Sequence, residues 1–333
     1  MELSEDSLKQ LLSKLSQLKS EIQKVIVGQD DILEELIVAL LAGGHCLLEG
    51  VPGLAKTLMV RTLSQALNLS FRRIQFTPDL MPTDIIGTEI LEEDHATGKR
   101  FFKFNEGPLF ANIVLADEIN RTPPKTQAAL LEAMQEFEVT YGGKTYPLDK
   151  PFFILATQNP IEQAGTYPLP EAQLDRFILY TKIDYPSEQE EISILSKTTG
   201  NEKMIVRPIL GSAEILQLQS FVRDVSINED LIHYVSNLVR ATRPATTKAD
   251  YVKNWVRWGS GPRAGQALIL TAKARALLKG RYAVLMEDIH AMALPVLRHR
   301  ILMNFKAEAE HISSDDVTAT LLKTIERPKG KLQ

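Results

Sequence analysis

Five short apolar runs, separated by polar and helical segments, constrain the fold of this chain more than any other feature. They are HCLLE (45–49), FRRIQF (71–76), NIVLAD (112–117), FFILAT (152–157) and RFILYT (176–181). Their apolar residues are nearly continuous, which is typical of strands in a parallel sheet that is covered on both faces. The segments between the runs supply the crossovers that parallel strands need. We therefore predict an α/β fold with three αβα layers around a five-stranded parallel sheet.

Two helices are predicted before the first strand. The first begins at Ser4, where leucines follow at helical spacing: Leu8, Leu11, Leu12, Leu15 and Leu18. The second covers roughly residues 30–42 and ends at Gly43 and Gly44, a suitable C-terminal cap.

The strand signals stop after Pro186. From there the chain shows only helical segments, at residues 187–197, 229–240, 262–279 and 286–305. We therefore predict an α/β domain over residues 1–185 and a smaller, all-helical domain over residues 186–333.

Two hairpins interrupt the alternation of strands and helices in the first domain. TEILEEDHATGKRFFKF (88–104) has turn residues near Thr97 and Gly98, and the segment at 139–147 turns at Gly142 and Gly143. We interpret both hairpins as insertions into the α/β core.

Composition excludes several classes of protein. At 44% hydrophobic and 24% charged residues the chain is typical of globular proteins, and its net charge of −4 argues against nucleic acid as a general partner. The single cysteine, Cys46, excludes an internal disulfide framework and fits a reducing compartment. No apolar run approaches the roughly 20 residues that a membrane span needs. We expect a cytoplasmic protein without membrane insertion.

The stretch EGVPGLAKT (49–57) resembles a phosphate-binding loop. The pattern is G-x-x-x-x-G-K-[ST]; Gly50, Lys56 and Thr57 match it, but Ala55 replaces the second glycine. An apolar strand precedes the loop and a helical segment follows, which favours a nucleotide site over an ordinary turn with an incidental lysine. Because a methyl group is costly at positive φ, we predict a helical or near-helical backbone at Ala55.

Acidic and polar residues follow two other predicted strands. Asp117 could hold Mg²⁺ opposite Thr57, and Glu118 could act as a general base, although both could also form a solvated strand end. Asn159 could hydrogen-bond a γ-phosphate and the attacking water. From spacing alone it could equally be a turn residue before Pro160.

Four stretches resemble the AAA+ ATPases, and specifically the MoxR family of the helix-2-insert clade. They are LLEGVPGLAKT (47–57), residues 107–136, residues 154–177 and GPRA (261–264). The resemblance covers roughly residues 5–325 and is most specific over 107–177. It implies an AAA+ P-loop core followed by an all-helical lid, with the hairpins at 88–104 and 139–147 as the insertions of this clade.

The resemblance also implies a role for individual residues. Lys56 and Thr57 would be the Walker A pair, Asp117 and Glu118 the Walker B pair, and Asn159 sensor 1. The nucleotide-binding residues would be Val27, Gly28, Gly50, Val51, Pro52, Gly53, Leu54, Ala55, Lys56, Thr57 and Leu58, with Thr57 and Asp117 holding Mg²⁺.

Two arginines complete the implied site. Arg176 resembles an arginine finger that reaches the neighbouring subunit, and Arg263 resembles sensor 2 on the lid. Taken alone, Arg176 could instead form a surface salt bridge with Asp175, and Arg263 could belong to an ordinary solvated helix start.

The family implies an ATP- and Mg²⁺-dependent ring motor, typically hexameric, that cycles between ATP and ADP. Such motors remodel, assemble or activate client proteins, often with a von Willebrand factor A domain partner. Two alternatives remain open at this point: a nucleotide-gated scaffold with little hydrolysis, and a nucleic-acid-dependent motor. The acidic pI of about 6.0 argues against the latter.

Overall fold

A computed structural model of the chain describes residues 5–95, 98–160, 165–199 and 204–328. The predicted helix start at Ser4, the turn residue Thr97 and residues 161–164 of the family-like stretch lie outside these ranges. The strands are β1 Cys46–Glu49, β2 Phe71–Gln75, β3 Gly87–Glu93, β4 Arg100–Glu106, β5 Ile113–Asp117, β6 Glu138–Tyr141, β7 Lys144–Pro147, β8 Phe153–Gln158, β9 Leu179–Lys182, β10 Val256–Trp258 and β11 Leu302–Met303.

The helices are α1 Glu5–Ile22, α2 Asp30–Leu41, α3 Lys56–Ala66, α4 Pro82–Ile86, α5 Pro124–Glu136, α6 Glu171–Leu174, α7 Glu188–Thr198, α8 Ser212–Asp224, α9 Glu229–Ala241, α10 Asp250–Trp255, α11 Pro262–Leu278, α12 Met286–Leu297, α13 Phe305–Ala309 and α14 Ser314–Thr324.

The five predicted strands form one parallel sheet in the order β2-β5-β8-β1-β9. Successive residues of a strand face opposite sides, and the two sides belong to different apolar clusters. Leu48 and Leu155 pack in the cluster that contains Leu33 of α2 and Leu63 of α3. The other faces of the same strands join the cluster that contains Met134 of α5. The predicted three-layer α/β architecture is therefore confirmed.

Helices follow the last strand of the sheet, beginning with α7. Its N-terminal residue Ser187 forms a capping box with Glu190, whose carboxylate accepts from the Ser187 amide at 2.8 Å. The domain boundary at residues 185 and 186 stays a prediction.

One predicted helix is interrupted. The segment at 286–305 was expected to be helical throughout, but α12 ends at Leu297, and Leu302–Met303 pair antiparallel with β10. Pro295 lies inside α12 and has no N–H to donate, which weakens the end of the helix. Asn304 then caps a separate short helix by accepting a hydrogen bond from the Ala307 amide at 3.0 Å. The apolar periodicity of the sequence continues through this break, so the periodicity does not indicate where α12 ends.

Both predicted hairpins are present, and they touch each other. β3 pairs with β4, and β6 with β7. The rings of Phe104 and Tyr146 stack with centroids 4.1 Å apart, and Glu89 lies 4.0 Å from Lys144. These contacts link the base of the first hairpin to the second.

No helix in the described part of the chain has both the length and the apolar character that crossing a membrane requires.

Candidate functional site

The predicted phosphate loop, residues 49–57, and the acidic pair, Asp117 and Glu118, lie at the same end of the sheet's strands. β1, β8 and β5 are neighbours and parallel, so their carboxyl ends meet at the same edge. Gly50 follows β1, Asp117 ends β5, and Asn159 follows β8. The structure therefore brings together the residues that the sequence places at three separate strand ends.

Glycine is required at two positions of the loop. A side chain at Gly50 would overlap Ile183, the residue after β9. Gly53 has a φ of 90° and open space on the side where a Cβ would project. The loop is thus closely packed on the sheet at one end and open at its tip, and it leads directly into the 11-residue helix α3.

The backbone prediction for Ala55 is wrong. Its φ is 54° and its ψ 22°, which is the left-handed region and not the helical one. Ala55 precedes the first residue of α3, and its carbonyl accepts from the Met59 amide at 2.9 Å. The turn into the helix thus keeps the conformation that the pattern's glycine would adopt. An alanine there costs about 1–2 kcal/mol of strain.

The Lys56 side chain folds back over the loop. Its Nζ donates to the Gly50 carbonyl at 2.6 Å. Burial lowers the pKa of the Lys56 ammonium, and the charges of Asp117 and Glu118 oppose this shift. The lysine and the two carboxylates therefore form one electrostatic cluster.

Both carboxylate oxygens of Asp117 have partners. Oδ1 accepts from the Thr157 hydroxyl at 2.6 Å, and Oδ2 accepts from Arg73 Nη2 at 2.6 Å and Nε at 3.1 Å. Only 8% of Asp117 is exposed. A buried, paired carboxylate of this kind has a fixed orientation.

Glu118 is held from three sides. Its backbone amide donates to Thr157 Oγ1 at 2.9 Å, and its Oε2 accepts from Gln75 Nε2 at 2.8 Å. Arg121 Nε lies 3.1 Å from the same oxygen. Asn159, which follows the neighbouring strand β8, is also buried.

These residues fit a nucleotide with Mg²⁺. The described part of the chain contains no cluster of three or more acidic, histidine or cysteine side chains that could hold a cation without help. A magnesium ion would instead rely on Thr57, on Asp117 through water, and on phosphate oxygens, which is how Mg²⁺ is commonly bound. Lys56 and the carboxylates of Asp117 and Glu118 already interact electrostatically, so the charges that phosphates and Mg²⁺ need lie together.

Val27 and Gly28, which the resemblance implies as nucleotide-binding residues, lie against the second half of the chain. Gly28 has a φ of 70°, and a side chain there would overlap Glu190 of α7. Val27 and Gly28 therefore lie where the helical part of the chain meets the α/β part. Such a junction could enclose a base on two sides.

The two predicted arginines lie at the opposite edge of the sheet. The Ile178 amide donates to the His45 carbonyl at the start of β1, whereas the Ile183 amide donates to Glu49 at its end, both at 2.8 Å. The extended chain from His45 to Gly50 spans about 16 Å. Arg176 precedes Ile178, so it lies far from the phosphate loop of its own subunit.

Arg263 accompanies Arg176. Its Nη1 lies 3.4 Å from Asp175 Oδ2, and Asp175 is the residue before Arg176. Arg176 itself donates from Nη1 to the Leu131 carbonyl at 2.8 Å. The sequence allowed a surface salt bridge between Arg176 and Asp175. In the structure, Arg263 pairs with Asp175 instead.

Four residues that make polar contacts to Asp117 or Glu118 were missed: Gln75, Thr157, Arg73 and Arg121. Gln75 ends β2, so the rule that singled out Asn159 at a strand end could have found it. Thr157 lies one residue before the end of β8, so the same rule could have found it. Arg73 has no comparable signal, because its role depends on which strands are neighbours.

Comparison with known proteins extends the match to both halves of the chain. Residues 45–179 match the family described as "ATPase family associated with various cellular activities (AAA)", and residues 248–321 match the "AAA lid domain". The chain is 45% identical to Chaperone MoxR1 of Mycobacterium tuberculosis, over 93% of this chain and 81% of that protein. It is 30% identical to Protein MoxR of Paracoccus denitrificans, over 86% and 88% of the two chains. A Cytophaga hutchinsonii protein of known crystal structure superposes with a TM-score of 0.90, at 43% identity and 98% coverage of both chains.

Proposed function

Because this chain belongs to the MoxR family of AAA+ ATPases, we propose that it is a Mg²⁺-dependent ATP hydrolase. It acts as a ring of identical subunits, hexameric by the family pattern, that remodels, assembles or activates client proteins. The observation that carries the proposal is the division of the charged residues between two edges. Lys56, Asp117 and Glu118 lie at one edge of the sheet, and Arg176 and Arg263 lie at the other.

Each residue at the first edge has a distinct task. The backbone amides of the loop and the N-terminus of α3 bind the phosphates, and Lys56 moves from the Gly50 carbonyl to the γ-phosphate. Thr57 and Asp117 would hold the magnesium ion, which would supply charge neutralisation at the phosphates. Glu118 accepts a proton from the attacking water, and Asn159 orients that water.

The second edge serves a neighbouring subunit. Arg176 and Arg263 cannot reach their own phosphate loop along the length of the strands, but a ring places this end of the sheet against the next subunit's loop. Positive charge delivered there stabilises the transferring phosphoryl group. Hydrolysis therefore requires assembly.

The hairpins are the proposed client contacts. Leu91 and Phe102 face each other across β3 and β4 and are 55% and 69% exposed. Apolar side chains at an exposed hairpin favour contact with another protein. The relative named Chaperone MoxR1 supports a chaperone-like task, with a von Willebrand factor A domain protein as the proposed partner.

Phosphate release by the purified chain tests the proposal. We expect turnover that rises with protein concentration and falls by at least about 100-fold in Glu118→Gln and Arg176→Ala. Arg240→Gln, an exposed arginine of α9, is the control and retains turnover.

Two outcomes would overturn it. ATP binding without turnover at any concentration supports the nucleotide-gated scaffold. Turnover that depends strongly on DNA at physiological salt supports a nucleic-acid motor.

A further inference from the structure

We propose that Arg300 is the positioning residue of the arginine-finger segment, residues 175–178, and that it holds Arg176 in place for catalysis at the neighbouring subunit's site. This inference rests on the proposed function, since it assumes ATP hydrolysis with Arg176 acting in trans. Arg300 lies in the turn between α12 and β11. It is distant in sequence from every motif discussed above.

The guanidinium of Arg300 uses all its donors. It makes five hydrogen bonds, and four of them go to the finger segment: Nε to Asp175 Oδ1 at 2.7 Å, Nη2 to the Asp175 and Phe177 carbonyls at 3.3 and 2.8 Å, and Nη1 to the Ile178 carbonyl at 3.2 Å. The fifth goes from Nη1 to the Val296 carbonyl in the preceding helix, α12, at 2.6 Å. The planar fork thus fixes the backbone on both sides of Arg176.

The contact is buried, so its geometry is rigid. Only 4% of the Arg300 side chain is exposed. Burial lowers the pKa of the guanidinium, while the hydrogen bond and the charge of Asp175 raise it. A buried charge with a full set of partners is costly to displace, because any movement leaves a donor or a carbonyl unpaired.

The adjacent residue reinforces this clamp. His299 is buried, and its Nε2 lies 3.0 Å from the Phe177 carbonyl, which also accepts from Arg300. Burial holds the pKa of His299 well below its usual value, so the ring is neutral and Nε2 carries the donated proton. His299 and Arg300 therefore both donate hydrogen bonds to the Phe177 carbonyl, next to Arg176.

Asp175 links the clamp to Arg263. One oxygen of Asp175 accepts from Arg300, and the other lies 3.4 Å from Arg263. Arg263 lies in the first turn of α11 and Arg300 follows α12, so side chains from these two parts of the chain meet at this carboxylate. These contacts connect α11 and the end of α12 to the backbone on either side of Arg176.

The test uses Arg300→Lys as the main variant. Lysine keeps the charge for Asp175 but cannot donate to three carbonyls in a fixed plane. We expect ATP affinity to stay within about twofold of the unsubstituted protein, while turnover falls on the order of 10–100-fold. Arg300→Gln removes the charge as well and should reduce turnover further.

Mixing subunits separates positioning from general folding. Glu118→Gln subunits lack the general base but keep an intact finger segment. In a mixed ring, an Arg300→Lys subunit keeps Glu118 in its own site and can receive an intact finger from a neighbouring Glu118→Gln subunit. In an equal random mixture, about a quarter of the interfaces have this arrangement. We expect phosphate release by the mixture to be at least three times the sum of the rates that the two variants give separately, each at the amount present in the mixture.

Arg281→Gln is the matched control. Arg281 is a partly buried arginine of the same half of the chain, whose Nη2 pairs with Asp288 at 2.7 Å and does not touch the finger segment. We expect it to lower the melting temperature while retaining turnover. A mixture that shows no gain over its components would overturn the proposal, as would a changed ATP affinity that explains the whole loss. Absence of turnover in the unsubstituted protein would instead defeat the proposed function.

Discussion

The guanidinium of Arg73 donates two hydrogen bonds to a single oxygen of Asp117, from Nη2 at 2.6 Å and Nε at 3.1 Å. Arg73 lies on β2 and Asp117 on β5, which are neighbouring parallel strands. Asp117, the proposed magnesium ligand, is thus already paired with the positive charge of Arg73. A magnesium ion must compete with Arg73 for this carboxylate.

Arg73→Gln should therefore lower the Mg²⁺ concentration that gives half-maximal phosphate release. The Arg73 side chain is 47% exposed, so the pair contributes on the order of 1 kcal/mol and the shift should be about threefold to fivefold. Arg72→Gln is the control, because neighbouring residues of a strand face opposite sides. An unchanged or increased Mg²⁺ requirement in Arg73→Gln would contradict the competition.

Ala55→Gly should stabilise the protein. Glycine removes the left-handed strain but adds chain entropy to the unfolded state, so we expect a net gain of about 0.5–1 kcal/mol in the free energy of unfolding. Ala128→Gly, the same change at an exposed position within α5, should lose about 1 kcal/mol instead. Denaturant titration measures the change in the free energy of unfolding for each variant. Changes of the same sign in the two variants would refute the strain at Ala55.

Gln75→Ala should raise basal turnover severalfold without altering ATP affinity. The Gln75 amide occupies Oε2 of Glu118 at 2.8 Å, the oxygen that a general base needs for water. Gln65→Ala on the exposed side of α3 is the matched control and should behave like the unsubstituted protein. Steady-state kinetics decide the matter. A fall in turnover would show that Gln75 positions Glu118 for catalysis instead of restraining it.

Glu35 should make stability depend on pH. Burial raises the pKa of this carboxyl from 4.5 to about 7, and its Oε2 is buried without a hydrogen-bond partner among the described residues. Because the folded pKa exceeds the unfolded value, this group's contribution to stability is complete below about 4.5. It is lost as the pH rises through about 7.

Glu35→Gln should accordingly raise the free energy of unfolding at pH 8 by on the order of 1–3 kcal/mol and leave it nearly unchanged at pH 4.5. Urea titrations at the two pH values measure the difference. The neighbouring Glu34, which pairs with Arg275 at 2.9 Å and Lys279 at 2.6 Å, provides the control. Glu34→Gln should lose stability and keep the pH trend of the unsubstituted protein.

Local chemistry explains why much of the fold could be predicted. A strand buried on both faces must be almost continuously apolar, so the five runs identified the sheet without further help. The hairpin at 139–147 followed from Gly142 and Gly143, which supply the positive φ values of 57° and 77° that its turn needs. The break after Leu297 was missed, because apolar periodicity continues through it.

Residue types determined which chemical groups stand at strand ends. Lys56, Asp117, Glu118 and Asn159 were singled out because a phosphate site needs those groups beside a strand–loop–helix turn, and their roles stay a prediction. The backbone at Ala55 was predicted wrongly from the same residues, since the cost of one methyl group is smaller than the packing that shapes the loop.

The sequence by itself determined the layers, the parallel sheet and the residues of the phosphate loop, because these depend on hydrophobic pattern and on groups close together in the chain. Only the tertiary structure decided that Arg73 reaches Asp117, that Arg263 shares a carboxylate with Arg300, and that both predicted arginines lie across the sheet from their own phosphate loop. Those contacts depend on strand order and on helices more than 80 residues away. Asp117 and Arg300 are buried, and burial of a charged group is costly unless the fold supplies such partners.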